Sequence, residues 1–355
     1  MPRTAKYKPM SITIKDLARM LNISHTTVSR SLNDSPLISA ETKDKVKDMA
    51  RKHGYVPNFS ARGLVLSRSY NIGLFFSTLK SGTTPSFLIE VIRGVNSVIK
   101  GKYRLALEAI DDFESYEEVN RRGFDGIVLM SQDPRDDVFI AHVLHIGLPL
   151  VVLNREVPGQ EVTCILSDDL MGAYKATRHL IEYGHRQIAH IEGKPEFKTS
   201  LNRKEGYLRA LDEAGIYQRR DYCVPGDFGL ESGYHAMTRI LALHDFPSAV
   251  FCANDDMAIG AMKAIYEAGL KIPEDISLMG YDDNGVSAYQ WPPLSTVKRP
   301  IEKIAIEGAD RLVAMLEESR WHKADPDSDS KAELIHLPTE IRTRSSVRRI
   351  PSVST

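Results

Sequence analysis

Residues 13–33 read TIKDLARMLNISHTTVSRSLN. Ile14, Leu17, Ala18 and Leu21 recur at the i, i+3, i+4, i+7 spacing of one helical face, and the Thr13 hydroxyl is placed to cap the first turn. Asn22 follows, and its short polar side chain tolerates the left-handed backbone that a tight turn requires. Ser24 then stands where it caps a second helix over 25–33, in which Val28 and Leu32 share one face while His25, Thr26, Ser29 and Arg30 point elsewhere. A third helix over 40–53 buries Val46, Met49 and Ala50 and stops at Gly54. Three short helices with a common apolar side form a minimal core, and the first two, joined by so short a turn, read as a helix-turn-helix.

The charge around this segment is lopsided. Residues 1–69 carry 13 lysines and arginines against 5 aspartates and glutamates, a net +8, whereas the remainder carries 33 against 42, a net −9. A small basic domain has the electrostatic footprint of a phosphate-backbone binder, and the acidic bulk is repelled by the same polymer. A solvated basic arm with no ligand would show the same charge.

Working outward, the order of helix, turn, T27-V-S-R, N33-x-S-P-x-I-S, G54-Y-x-P-N and A61-R-x-L resembles the DNA-binding domain of the lactose-repressor (LacI) family over about 50 residues. The family commonly has Ala-Gly where Leu21-Asn22 stand. The resemblance implies that the second helix enters the major groove of a double-stranded, near-palindromic operator, with Thr13, Ser24, His25, Thr26, Thr27, Ser29, Arg30 and Asn33 at the DNA. Arg30 carries a guanidinium fork that fits O6 and N7 of one guanine; a phosphate contact or a surface ion pair is the alternative. Asn58, Ala61, Arg62 and Leu64 match the family's hinge helix, which orders on DNA, and Leu64 matches the leucine that wedges between base pairs from the minor groove. Gly63 departs from the larger residue usual there and should make the unbound hinge less helical.

From residue 70 onward short apolar runs at 72–76, 105–110, 126–130, 150–153, 188–191, 249–252 and 276–279 alternate with amphipathic stretches. That rhythm is an α/β chain with mainly parallel sheets, whose ligand loops sit at strand ends. The resemblance implies a periplasmic-binding-protein-like sensor of two parallel-sheet subdomains, 71–160 with 294–320 and 161–293 with 321–345. The domain order expected is thus 1–57 for the DNA reader, 58–69 for the hinge, 70–345 for sensor and dimerisation, and 346–355 for a loose tail. The connection DDFESYEEVNRRG, residues 111–123, is short enough to curtail one helix of the first subdomain. Residues 325–332 read as a loop without function.

Carried over residue by residue, the family blocks place Ser77, Pro85, Phe87, Asn154, Arg155, Asp168, Arg203, Phe228, Asn254 and Asp282 at the effector. Arg203, Asn254, Asp282 and Asp168 would hydrogen-bond polar groups and Phe228 would stack on a flat face, a mixture that suits a sugar. Asp282 and Asn254 could equally cap turns, and Phe228 could be core. Arg203 has little structural reason to face a cleft, so Arg203→Ala is expected to abolish the ligand response while leaving operator binding intact. The resemblance implies a repressor working as a homodimer or tetramer, with a sugar effector; a nucleobase-responsive corepressed regulator and a sugar-binding protein without DNA function are the alternatives.

Other classes find no support. The sequence has no GxxxxGK[ST], HExxH, CxxC or GxSxG, and its eleven histidines show no metal-gathering spacing, so neither an enzyme, a metal nor a cofactor is expected. The tandem acids Asp255-Asp256 and Asp282-Asp283 could suggest a metal or an acid–base pair, but in this context they are not read as one. No run reaches the roughly 18 apolar residues of a membrane span, and the start MPRTAKYKP is no signal-peptide core, so a cytoplasmic location is expected. The three cysteines, Cys164, Cys223 and Cys252, suit reduced, packed thiols.

Overall fold

The structure, a computed structural model, describes residues 12–32, 35–55, 68–80, 82–321 and 332–351. Asn33, Asn58, Ala61, Arg62, Gly63, Leu64 and the segment 325–331 lie outside the described residues. The chain divides into two compact units at Leu66 and Ser67.

In the first unit α1 (Ile14–Leu21), α2 (His25–Leu32) and α3 (Ala40–Lys52) follow the expected order. Thr13 and Asp16 form a reciprocal capping box on α1, and Asn22 ends it in the left-handed region at φ 51° and ψ 44°. The Ser24 hydroxyl accepts from the Thr27 amide at 3.0 Å, starting α2 at the expected residue. Leu17, Ala18, Val28, Val46 and Ala50 are buried together, with Met49 at their margin.

The second unit holds two parallel sheets. The first contains β1 (Asn71–Phe76), β2 (Arg104–Ala109), β3 (Gly126–Met130), β4 (Leu150–Leu153), β5 (Thr163–Ser167) and β11 (Leu334–Leu337), in the order β11-β5-β4-β3-β1-β2. α4 (Pro85–Ile99) and α10 (Ile301–Trp321) pack together on one of its faces, and α5 (Asp137–His145) buries Phe139 and Val143 against Phe75, Leu129 and Val152 on the other. The second sheet contains β6 (Ile188–Glu192), β7 (Cys223–Pro225), β8 (Ala249–Cys252) and β9 (Ser277–Met279), in the order β7-β6-β8-β9. α6 (Asp169–Glu182) pairs with α7 (Lys198–Glu213), and α8 (Leu230–Leu241) with α9 (Asp255–Glu267), so helices flank both faces. The inner strands β1, β3, β4 and β8 are near-continuous apolar runs because they are covered on both sides, whereas the edge strands β2, β7 and β11 are partly exposed. β10 (Thr296–Lys298) and β12 (Glu340–Arg342) form a separate two-stranded antiparallel ribbon.

Three sequence expectations need correction. β5 and β11 belong to the first sheet, since β5 pairs with β4 through Val152 and Cys164 and β11 pairs with β5. The second subdomain therefore starts at α6 and not at residue 161. The tail is not loose up to residue 351: the Ser346 hydroxyl donates to the Leu278 carbonyl at 2.6 Å, and the Ile350 amide donates to Tyr183 at 2.7 Å. The curtailed connection after β2 is as expected, with two single turns of 3-10 helix at Ile110–Asp112 and Tyr116–Glu118.

The chain crosses between the two subdomains at three places, 167–169, 298–301 and 337–340. Those crossings bound the cleft.

Candidate functional site

Two surfaces carry candidate function. On the first unit, His25, Thr26 and Arg30 are exposed while Val28 and Ser31 are buried, so α2 turns a polar face outward. Thr27 is tied to the cap through a 2.8 Å contact between its hydroxyl and that of Ser24, and Ser29 is half-buried. The face that holds the domain together and the face that carries Arg30 are thus different sides of one helix.

The second surface is a narrow cavity between the two sheets, lined by Gly82, Thr84, Phe87, Gln132, Asn154, Thr199, Arg203, Phe228, Asn254, Asp282 and Arg299. Asn154 follows β4, Asn254 follows β8 and Asp282 follows β9, which puts them at carboxyl ends of parallel strands, where open α/β sheets bind ligands. Arg203 comes from the second turn of α7 and Arg299 from the crossing before α10. Asn154, Phe228 and Asp282 have positive φ, at 79°, 73° and 109°. Non-glycine residues there are strained by roughly 1–3 kcal/mol each, and such strain gathers at binding sites. Gly193 makes room for the Phe228 ring: a Cβ at that position would stand 2.1 Å from Phe228 Cζ.

Behind the cavity wall lies an ion network. Arg203 donates from Nε to Asp169 at 3.0 Å, places Nη2 at 2.9 Å from the same carboxylate, and reaches Asp282 at 3.4 Å and the Ala253 carbonyl. Arg299 donates to Ser167 at 3.0 Å and to Asn154 Oδ1 at 2.5 Å, and its Nη2 lies 3.3 Å from Asp169. Two guanidiniums thus share Asp169 and Asp282 across the crossings. Burial pushes the Asp169 carboxyl up, but Arg299 and Arg203 outweigh it and hold the group below its ordinary value. For Asp282 burial prevails over the same two cations, and its carboxyl is raised.

Residues 13–58 match the family described as bacterial regulatory proteins, lacI family, and residues 177–347 match a periplasmic binding protein-like domain. The chain is 47% identical over 339 residues to the probable HTH-type transcriptional repressor ExuR of Bacillus subtilis strain 168, covering 96% of this chain and 99% of that one. The chain belongs to the LacI family. It is 33% identical to the HTH-type transcriptional repressor PurR of Mannheimia succiniciproducens, over 95% of this chain and 99% of that one. Among solved structures, a CelR regulator–cellobiose complex superposes with a TM-score of 0.70 at 28% identity, covering 94% of this chain and 99% of that chain. This LacI-family chain is accordingly a helix-turn-helix transcriptional regulator with a periplasmic-binding-protein-like second domain.

Of the effector residues expected from the sequence of this LacI-family regulator, the structure brings Phe87, Asn154, Arg203, Phe228, Asn254 and Asp282 to the cavity. It does not bring the other four there. The Ser77 hydroxyl donates to Asp136 at 2.5 Å, Arg155 is held by Ser131 at 2.7 Å and by Asp137, Pro85 is the exposed first residue of α4, and Asp168 caps α6 by accepting from the Met171 amide at 3.1 Å. The expectation that Arg203 lacks structural work is overturned, since its side chain is only 2% exposed and each of its guanidinium nitrogens holds a partner. Asn254 caps α9 through the Met257 amide at 2.9 Å, one of the two alternatives, and also lines the cavity.

Arg299, Gln132, Thr199, Thr84 and Gly82 were missed, as was Asp169. Asp169 adjoins the expected Asp168, and only the cap on α6 tells which of the two carboxylates turns inward. Arg299 stands before Pro300, which opens a helix, and that position was the available signal. Among the described residues no group of three or more His, Cys, Asp and Glu is arranged to hold a metal. No described helix is long and apolar enough to cross a membrane.

Proposed function

We propose that this chain is a cytoplasmic repressor whose operator affinity is set by a sugar bound in the cleft, and that it binds the sugar without converting it. The observation that carries this reading is the cavity itself. Its lining, drawn from both subdomains, mixes amides, hydroxyls, two guanidiniums and a carboxylate with two phenyl rings. A single-ring polyol needs that combination, donors and acceptors for hydroxyls and an aromatic plate for C–H groups. The cellobiose in the CelR complex supports the sugar class.

Because the lining is drawn from both sheets, a ligand contacts both subdomains at once and favours one of their arrangements over the other. His25, Thr26 and Arg30 read the major groove, and the working unit is a two-fold dimer on a near-palindrome. The test is operator titration by fluorescence anisotropy with a panel of monosaccharides and purine bases. A monosaccharide should shift operator affinity, and Phe87→Ala should raise the concentration needed by about tenfold. A shift produced by a purine base alone would overturn the sugar reading.

A further inference from the structure

The cleft lies at the carboxyl ends of β3 and β4, where Gln132 and Asn154 follow the strands. A separate pocket opens at their amino ends. Arg68, Arg121 and Asp125 form its polar wall, and Phe124, Leu148 and Leu316 its apolar one. Five residues of extended chain, from Pro149 to Asn154, span about 16 Å, so the pocket and the cleft are different sites.

The three charged groups of the pocket do not neutralise one another. The Asp125 carboxylate is taken up by the chain entering β1, accepting from the Ser69 amide at 2.7 Å, the Ser69 hydroxyl at 2.9 Å and the Tyr70 amide at 3.2 Å. Arg121 is held by main chain alone, donating from Nε to the Ile146 carbonyl at 3.0 Å and from Nη2 to the Gly147 carbonyl. Position 147 has to be bare for this: its φ is 64°, and a Cβ there would stand 2.6 Å from Arg121 Nη2. Arg68 Nη1 is shut off from solvent and has no hydrogen-bond partner. Neither arginine has an ion pair among the described residues. A buried guanidinium nitrogen without an acceptor is costly, and an anion in the pocket removes that cost.

We infer that this pocket is an anion site for a small phosphate monoester. Arg68 and Arg121 reach it from separate segments, one before β1 and the other before β3. A planar carboxylate is filled by one guanidinium fork, whereas the three free oxygens of a phosphate ester accept from two. The Asp125 charge leaves the pair an excess of one positive charge, and the wall of Phe124, Leu148 and Leu316 takes the carbon body of the ester.

Calorimetric titration of the full chain at constant ionic strength, without DNA or sugar, tests the site with phenyl phosphate and inorganic phosphate as probes. Phenyl phosphate should bind about tenfold more tightly, because its ring meets the apolar wall. Arg68→Gln should weaken both probes at least about tenfold, and Arg68→Lys, which keeps the charge and loses the fork, should weaken them less. The Arg68 side chain holds no partner, so both variants should melt with the unsubstituted chain. No binding of either probe at millimolar concentration, or binding that both variants leave unchanged, overturns the site. Equal affinity for the two probes overturns the ester.

Discussion

Arg203 Nη2 lies 2.9 Å from the Asp169 carboxylate, and the guanidinium carbon stands 3.9 Å from the centre of the Tyr281 ring. Both side chains are almost entirely buried, and Asp169 is shared with Arg299. The partners of Arg203 all belong to the second subdomain, and it is Arg299, sharing Asp169 with it, that carries the network to Ser167 and Asn154 of the first. Arg203 thus lines the cavity and anchors a buried ion network at the same time.

Arg203→Ala is accordingly expected to destabilise the chain, and not merely to silence it. Removing one partner from a buried pair strands the other, at a cost of about 3–5 kcal/mol. Arg203→Lys keeps the charge but loses the fork that serves Asp169, Asp282 and Ala253 together, and should cost less. Urea unfolding followed by circular dichroism checks both. A loss under about 1 kcal/mol for the alanine variant would mean the pair behaves as a solvated one.

Phe228 gives a comparison that isolates backbone strain. Its φ of 73° is costly for any residue with a Cβ, and its ring stacks on Phe197 at 6.0 Å between centroids. Alanine and glycine both forfeit the ring, but only glycine escapes the left-handed penalty of about 1–2 kcal/mol. Glycine gives back part of this through a more flexible unfolded chain. Phe228→Gly should therefore be more stable than Phe228→Ala by roughly 0.5–1 kcal/mol, read from the difference in urea midpoints. The reverse order would show that the backbone relaxes once the ring is gone.

What was legible in the sequence follows from how local its cause is. The first domain could be read residue by residue, because a cap at Thr13, a left-handed Asn22 and a four-residue apolar spacing act within a turn or two. Seven strands were found as apolar runs, β9 among them, whereas β5, β7, β10, β11 and β12 were not; β7, β10 and β12 are three residues long, and a period of two says little over three residues. The cavity was half legible. Asn154, Asn254 and Asp282 follow strands, where position alone points to a ligand. Gln132 also follows a strand, β3, and was overlooked, whereas Arg299 and Thr199 arrive through a crossing and a helix start, where only the fold brings them in. The role of Arg203 was misjudged because its partners, Asp169 and Asp282, are 34 and 79 residues away along the chain.

Arg30→Ala should weaken operator binding by about 1–3 kcal/mol per half-site and relax preference at one base pair, since the side chain is exposed on the outer face of α2 and holds nothing in the core. The melting temperature of the free protein should not change. Binding curves on the operator and on single-base variants check the assignment. A uniform loss across all sequences, with a shallower salt dependence, would identify a phosphate contact instead.

Asp255 supplies the test that depends on pH. It is buried at the start of α9, where its carboxylate accepts from the Ser287 hydroxyl at 2.6 Å, the Thr296 hydroxyl at 2.5 Å and the Asn284 amide at 2.8 Å. Desolvation, helped by the Asp282 charge, raises it from 3.8 to about 7 despite those three donors. Between these values the folded chain binds a proton that the unfolded chain does not. Its contribution to stability is thus fully present below pH 3.8 and is lost as pH rises to about 7. His185 and His190 act with the opposite sign: burial lowers both from 6.5 to about 4, so their contribution is present above 6.5 and is lost as pH falls. Comparison of the native chain with Asp255→Asn cancels the histidines. The amide resembles the protonated acid and does not titrate, so the stability of the native chain relative to the variant should fall with rising pH, by up to about 1.4 kcal/mol per pH unit, and level off above about pH 7. Urea unfolding at intervals between about pH 4 and 8 measures that difference. A flat difference would show that Ser287, Thr296 and Asn284 keep Asp255 ionised in the fold, and the hydrogen bonds would then outweigh the desolvation.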